Sequence, residues 1–97
     1  MLFVFIGKDK PSGLKHRLAV RPTHLEHLAS LGEKLRLAGA LWDENDQAEG
    51  SVMVLEADSL EQARTLFAAD PFVTEGVFAS WEVKHWNLAI NHMVTKD

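Results

Sequence analysis

The period of the hydrophobic pattern changes along this chain in a fixed order, and that order constrains the fold more than any single motif. A continuous apolar, β-prone run, Leu2 to Ile6, ends in a cluster of turn formers, Gly7-Lys8-Asp9-Lys10-Pro11-Ser12-Gly13. It reads as a buried central strand followed by a loop. Residues 14–20 are mixed and show no clear period. Pro22 suits a first helical position, where its missing N–H is not needed. From there to Ala38 the pattern is helical. At about 100° per residue, Leu25, Leu31, Gly32 and Leu35 fall within roughly 60° of Leu28. Gly39 ends the predicted helix.

A short strand, Ala40-Leu41-Trp42, follows, and residues 43–50 are polar and turn-like. Ser51 to Glu56 alternates, with Ser51, Met53 and Leu55 on one side and Val52 and Val54 on the other. The two strands read as a hairpin with a loop longer than two residues. Ser59 with Gln62 three positions on is a capping-box signature, opening a helix through Ala69 that Pro71 stops. Val77 to Trp86 is the last strand, with Val77, Ala79, Trp81 and Val83 predicted on one face and Phe78, Ser80, Glu82 and Lys84 on the other. The resulting order is β-α-β-β-α-β, a split βαβ arrangement in an α+β domain. Both helices are expected on one face of an antiparallel sheet. Apolar residues also occur on the opposite face, so a homodimer pairing two sheets is expected to cover it. The tail, residues 88–97, is ambiguous, and its Leu88, Ala89, Ile90 and Met93 are apolar enough to dock on a partner chain.

Composition narrows the function classes. At 97 residues the chain is expected to form a single domain spanning 1–97. Ten basic residues against fourteen acidic ones give a net charge of −4, without the basic face that nucleic acid requires. No cysteine is present, which excludes thiol chemistry and disulfides, and a cytoplasmic address fits. No apolar run approaches the roughly 20 residues of a membrane span.

Several spaced motifs resemble the YCII-related family of small α+β proteins. They are Leu2-Phe3-Val4-Phe5, Arg17-Leu18, Arg21-Pro22-Thr23-His24-Leu25, Ala38-Gly39-Ala40-Leu41 with Asp43, Gly50-Ser51, and Ala69-Asp70-Pro71-Phe72 with Gly76-Val77. Trp86 matches a frequent aromatic after the last strand. The resemblance covers nearly the whole chain up to that tryptophan. It implies a ferredoxin-like protomer in a dimeric α+β barrel, and a His–Asp site mapped onto His24 and Asp70. Relatives in the barrel superfamily include muconolactone isomerase-like and dehydrochlorinase-like enzymes acting on small unsaturated acids.

The residues themselves leave two readings open. His24 lies about 40° from the centre of the apolar stripe and His27 about 100°, at its edge. An imidazole can accept and return a proton near neutral pH without a metal. In the opening turn of the predicted helix, the dipole would keep it neutral. The alternative is a partly buried histidine hydrogen-bonded near the helix start. Asp70 before Pro71 either orients His24 or simply caps a short turn, and the two roles are compatible. Arg17 and Arg21 are candidates to hold an anionic ligand, or are a solvated or ion-paired couple. Ser51 is a candidate polar lining residue, as is Ser80. Trp42, Trp81 and Trp86 read as core or interface anchors. The five histidines make no H-x-x-x-H pair, so no metal site is expected. The first functional expectation is a small cofactor-independent enzyme. It would use a His24–Asp70 dyad for proton transfer, by isomerisation or elimination (dehydrochlorination), on a small organic acid. The second is a non-catalytic dimeric module that binds a small ligand or serves another protein.

Overall fold

Four strands form one antiparallel sheet in the computed structural model, which describes residues 1–93. They are β1 (Leu2–Asp9), β2 (Leu35–Trp42), β3 (Ala48–Glu56) and β4 (Phe78–Trp86). The order across the sheet is β2-β3-β1-β4. Helix α1 (Leu14–Leu31) connects β1 to β2, and α2 (Leu60–Ala68) with the single turn α3 (Pro71–Thr74) connects β3 to β4. This is the ferredoxin-like split βαβ arrangement, with β1 and β3 central.

Strand parity explains the layering. On β1, Phe3 and Phe5 face the helices, and across the register they meet Leu55 and Met53 of β3. With Ala63 and Phe67 of α2, Phe72 of α3 and Val83 of β4, these residues form the core. The opposite parity places Ile6, Leu37, Leu41 and Trp86 on the other side of the sheet, where each is more than a third exposed. A second cavity of about 490 Å³ lies on that side, between Leu37, Val54 and Trp86 of the sheet and Leu88, Ile90 and Met93 of the tail. Residues 87–93 carry no helix or strand, and the rest of the tail, 94–97, lies outside the described residues.

Three sequence expectations are corrected. Helix α1 begins at Leu14, not Pro22, and ends at Leu31, not Ala38. Pro22 lies inside it, and Leu18, four residues before, is exposed, so the backbone bond that proline cannot make is lost on the solvent side. The inward stripe runs through Arg17, Val20, His24, Leu28 and Leu31. With an arginine and a histidine in that stripe, its hydrophobic period nearly vanishes, which is why residues 14–20 looked irregular. The true stop is Gly32, at φ +58°, a left-handed conformation glycine adopts at little cost. Leu35 and Gly39 therefore belong to β2, not to the helix.

The last correction concerns β4. Asp9 pairs with Phe78 while Lys8 pairs with Ser80, so Ala79 is an extra residue in a bulge. The bulge turns Phe78 to the helix side along with Trp81 and Val83, and Phe78 packs edge-on against Phe72.

Helix α2 is capped as the sequence indicated: the Ser59 hydroxyl accepts the Gln62 N–H at 3.1 Å, and the Gln62 side chain accepts the Asp58 N–H at 2.7 Å. The end of α3 is a Schellman motif. The Val77 N–H reaches the Phe72 carbonyl at 3.0 Å and the Gly76 N–H reaches that of Val73 at 3.1 Å, with Gly76 at φ +72°.

Candidate active site

Between α1 and the β2–β3 half of the sheet lies a cleft of about 580 Å³, within the usual size of small-molecule sites. His24, Arg17, Arg21, Ser51 and Phe72 line it. Each is placed by a local rule. Arg17 and His24 are seven residues apart on α1, two turns and about 10 Å of rise on the same face. Ser51 is on the helix side of β3, in register with Gly7 and Ala40. Asp70 is the N-cap of α3, whose first residue is Pro71.

His24 and Asp70 meet. The Nδ1 of His24 is 2.8 and 2.9 Å from the two carboxylate oxygens of Asp70, and one of these, Oδ1, also accepts the Phe72 N–H at 2.9 Å. Capping and contact with the histidine are thus carried by the same side chain. Asp70 is 1% exposed and His24 7%. An ionised carboxylate only accepts, so Nδ1 is the nitrogen that donates, and a neutral ring then keeps a lone pair on Nε2. No protein group among the described residues bonds Nε2, and every fully buried side-chain nitrogen or oxygen there has a partner. The small exposed part of this imidazole therefore includes Nε2. The ring lies flat on Phe72, centroids 3.7 Å apart and planes 5° off parallel, which fixes its orientation.

His24 sits in the third turn of α1 rather than the first. The helix-terminal dipole argument for a neutral ring does not apply, because that effect fades within the first turn. His27 is separate, as its angular position indicated: its Nε2 donates to the Leu66 carbonyl at 3.0 Å, tying α1 to α2.

Arg17 is 5% exposed and its charge is already matched. Its Nη1 donates to both oxygens of Asp9 at 2.8 and 3.0 Å, and its Nη2 donates to the Ser51 hydroxyl at 2.6 Å. The guanidinium carbon also lies 4.7 Å from the centre of the Phe72 ring. Arg21 is different: it is exposed at the cleft, and no salt bridge among the described residues includes it.

Sequence reasoning missed Asp9 and Phe72 as parts of this site. Asp9 was legible in principle. It shares the odd parity of Phe3 and Phe5, so extending β1 by three residues turns it inward, where a buried carboxylate demands a cation. Phe72 enters the sequence reading as part of the Ala69-Asp70-Pro71-Phe72 motif, with no role of its own at the site. Trp42, read as a core or interface anchor, stands at the cleft and is 66% exposed.

No group of three or more His, Cys, Asp or Glu side chains among the described residues is arranged to hold a metal ion. No helix there is long and apolar enough to cross a membrane.

Comparison with known proteins finds relatives over most of the chain. Protein YciI of Escherichia coli is 40% identical over 92 residues, covering 87% of this chain and 94% of that protein. An uncharacterised protein of Haemophilus influenzae is 38% identical over the same shares. Among solved structures, 5-chloro-2-hydroxyhydroquinone dehydrochlorinase (TftG) of Burkholderia phenoliruptrix, in complex with 2,5-dihydroxybenzoquinone, superposes with a TM-score of 0.83 at 29% identity. That match covers 92% of this chain and 96% of TftG. The YCII-related domain model matches residues 1–87, and the chain belongs to the YCII-related family.

Proposed function

We propose that this protein is a cofactor-independent enzyme that moves a proton on a small, unsaturated, acidic organic molecule, by elimination of HCl or by isomerisation. The observation that carries the proposal is the state of His24, a residue that lines the cleft: Nδ1 is held by a buried carboxylate, and Nε2 is left unbonded and not fully buried. The likeness to TftG supports the elimination branch.

In that reaction Nε2 takes a proton from the substrate. The electron pair left behind forms the new π bond as chloride departs, so the change is redox-neutral and no oxidant is called for. In an isomerisation the same proton is returned at another atom. The positive charge that develops on the ring is compensated by Asp70, which also holds the tautomer. Arg21 holds the anionic end of the substrate at the mouth of the cleft, while Leu25, Leu28, Met53 and Phe72 receive its apolar body. The working form is a homodimer, in which the exposed apolar sheet face around Ile6, Leu37, Leu41 and Trp86 is covered by a second copy.

The test is chloride release from 5-chloro-2-hydroxyhydroquinone and from small chlorinated unsaturated acids. The wild type is expected to release chloride from at least one, and His24→Gln to lower the rate by about 10²–10⁴-fold. A folded His24→Gln protein with full activity would overturn the proposal. Sedimentation equilibrium is expected to give the mass of two chains, and a monomer at micromolar concentration would remove the dimer from the account.

A further inference from the structure

We infer that the Ser51 hydroxyl is the hydrogen-bond donor for an oxygen of the ligand, and that the buried Asp9–Arg17 pair exists to aim it. The inference rests on the proposed reaction and narrows its substrate class.

The argument begins with what the hydroxyl has left to give. Ser51 is 2% exposed yet lines the cleft. Its oxygen accepts from Arg17 Nη2 at 2.6 Å. A guanidinium has no lone pair, so it cannot take the serine proton in return. Among the described residues, no other protein group accepts that proton either. The proton is therefore available on the cleft side, and donation from a charged group to the same oxygen makes the O–H a stronger donor. Space above it is open because its neighbour on β2 is Ala40, a single methyl that also lines the cleft.

Arg17 performs this task without adding a free charge to the cleft. Asp9 grips it through both carboxylate oxygens and itself lies outside the cleft, facing the turn at residues 10–13. The buried pair is thus a support, and Arg21 remains the cation exposed to a ligand. Arg17 and Asp9 are positioning residues, while Ser51 touches the ligand.

The ligand chemistry follows from the three groups. His24 Nε2 asks for an acidic proton. Ser51 asks for an oxygen acceptor nearby, one that gains negative charge as the proton leaves. Arg21 favours an overall anion. A hydroxyl conjugated with a carbonyl satisfies all three: an enol, an enediol, or a hydroxylated quinone or hydroquinone. A saturated carboxylic acid with an isolated leaving group does not.

The experiment is a titration of 2,5-dihydroxybenzoquinone, followed by its visible absorbance, into wild type, Ser51→Ala, Ser51→Thr, Asp9→Asn and the Asp9→Asn/Ser51→Ala double variant. Circular dichroism establishes that each is folded. Ser51→Ala is expected to weaken binding about 10- to 100-fold, the range for a hydrogen bond to a charged group. Ser51→Thr, which keeps the hydroxyl, is expected to stay within about 3-fold of wild type. Asp9→Asn is expected to weaken binding in the wild-type background and to add nothing once Ser51 is gone, which a merely structural role would not produce. Equal affinity in wild type and folded Ser51→Ala would overturn the inference. So would additive losses in the double variant, which would remove the positioning role. Wild type that fails to bind the quinone at millimolar concentration overturns the ligand class. Chloride release measured alongside separates the two readings: a wild type that turns over with Ser51→Ala unchanged leaves the proposed reaction standing without this donor. Binding that needs Ser51 but yields no turnover removes the reaction and keeps the donor.

Discussion

Two turns of α1 separate a pair of buried couples that look alike on paper, Arg17 with Asp9 and His24 with Asp70. Each puts a basic side chain of the helix against a carboxylate in the interior, with Phe72 touching both bases. The difference is in what each base has left over. Arg17 is always charged, and both of its terminal nitrogens bond protein oxygens. His24 spends one nitrogen on Asp70 and leaves the other unbonded, on a ring that lines the cleft. A buried cation–carboxylate couple is therefore not by itself a sign of chemistry. The atom that remains unbonded and reachable separates a support from a reactive group.

That contrast predicts opposite responses to mutation. The largest expected effect on stability is at Arg17. Arg17→Met leaves the Asp9 carboxylate, with 4% of its side chain exposed, without its counter-charge. The expected cost is about 3–5 kcal/mol, the range for breaking a buried pair from one side. It would be read as a lower urea midpoint at unchanged slope. Adding Asp9→Asn removes the stranded charge, and the double variant is expected to recover much of the loss. A cost below about 1 kcal/mol for Arg17→Met would dissolve the distinction, because Arg17 would then be as free as Arg21.

At Asp70 the ranking reverses. Asp70→Asn keeps one oxygen, which can cap the Phe72 N–H and receive the His24 proton as Oδ1 does, but it loses the charge and replaces the second oxygen beside Nδ1 with an NH2 group. The expected stability cost is about 1–2 kcal/mol. Turnover is expected to fall about 100-fold or more, because the imidazolium formed during proton transfer loses its compensating charge. Stability loss at Arg17 and activity loss at Asp70 would be measured on the same preparations. Equal and parallel losses at both sites would contradict the assignment of separate roles.

How much of this was legible in the sequence follows from the same contrast. The succession of strands and helices along the chain, the α2 cap and the Asp70 cap were readable because each depends on short-range chemistry: hydrophobic period, Ser59 with Gln62, Asp70 before Pro71. The start of α1 was not, because Arg17 and His24 occupy its buried stripe and break the apolar period that marks a helix. The residues that obscure the element are those that build the site. Position along the chain singled out His24 and Asp70 as a pair through the family resemblance, while Asp9 stayed hidden in a run of turn formers. The bulge at Ala79 was also out of reach, since a single extra residue leaves no mark on an alternating strand until its partner is known.

The smallest expected effect tests whether the two couples share a support. Phe72 touches both, and α3 that carries it is one turn long, closed by Gly76 at φ +72°. Gly76→Ala puts a Cβ in the left-handed region, at an expected cost of about 1–2 kcal/mol. The new Cβ meets only the Nζ of Lys10, at 3.0 Å, the far end of a flexible side chain that can move away. Asp70 and Phe72 are held from the other end of the turn, by the cap and by core packing against Phe78. Melting temperature is therefore expected to drop by several degrees while turnover per folded molecule stays within about 2-fold. A fully folded Gly76→Ala protein with a tenfold slower rate would mean that strain at the end of α3 reaches Asp70. The histidine would then be tuned by the same rigid turn that backs the arginine, and the two couples would act as one unit.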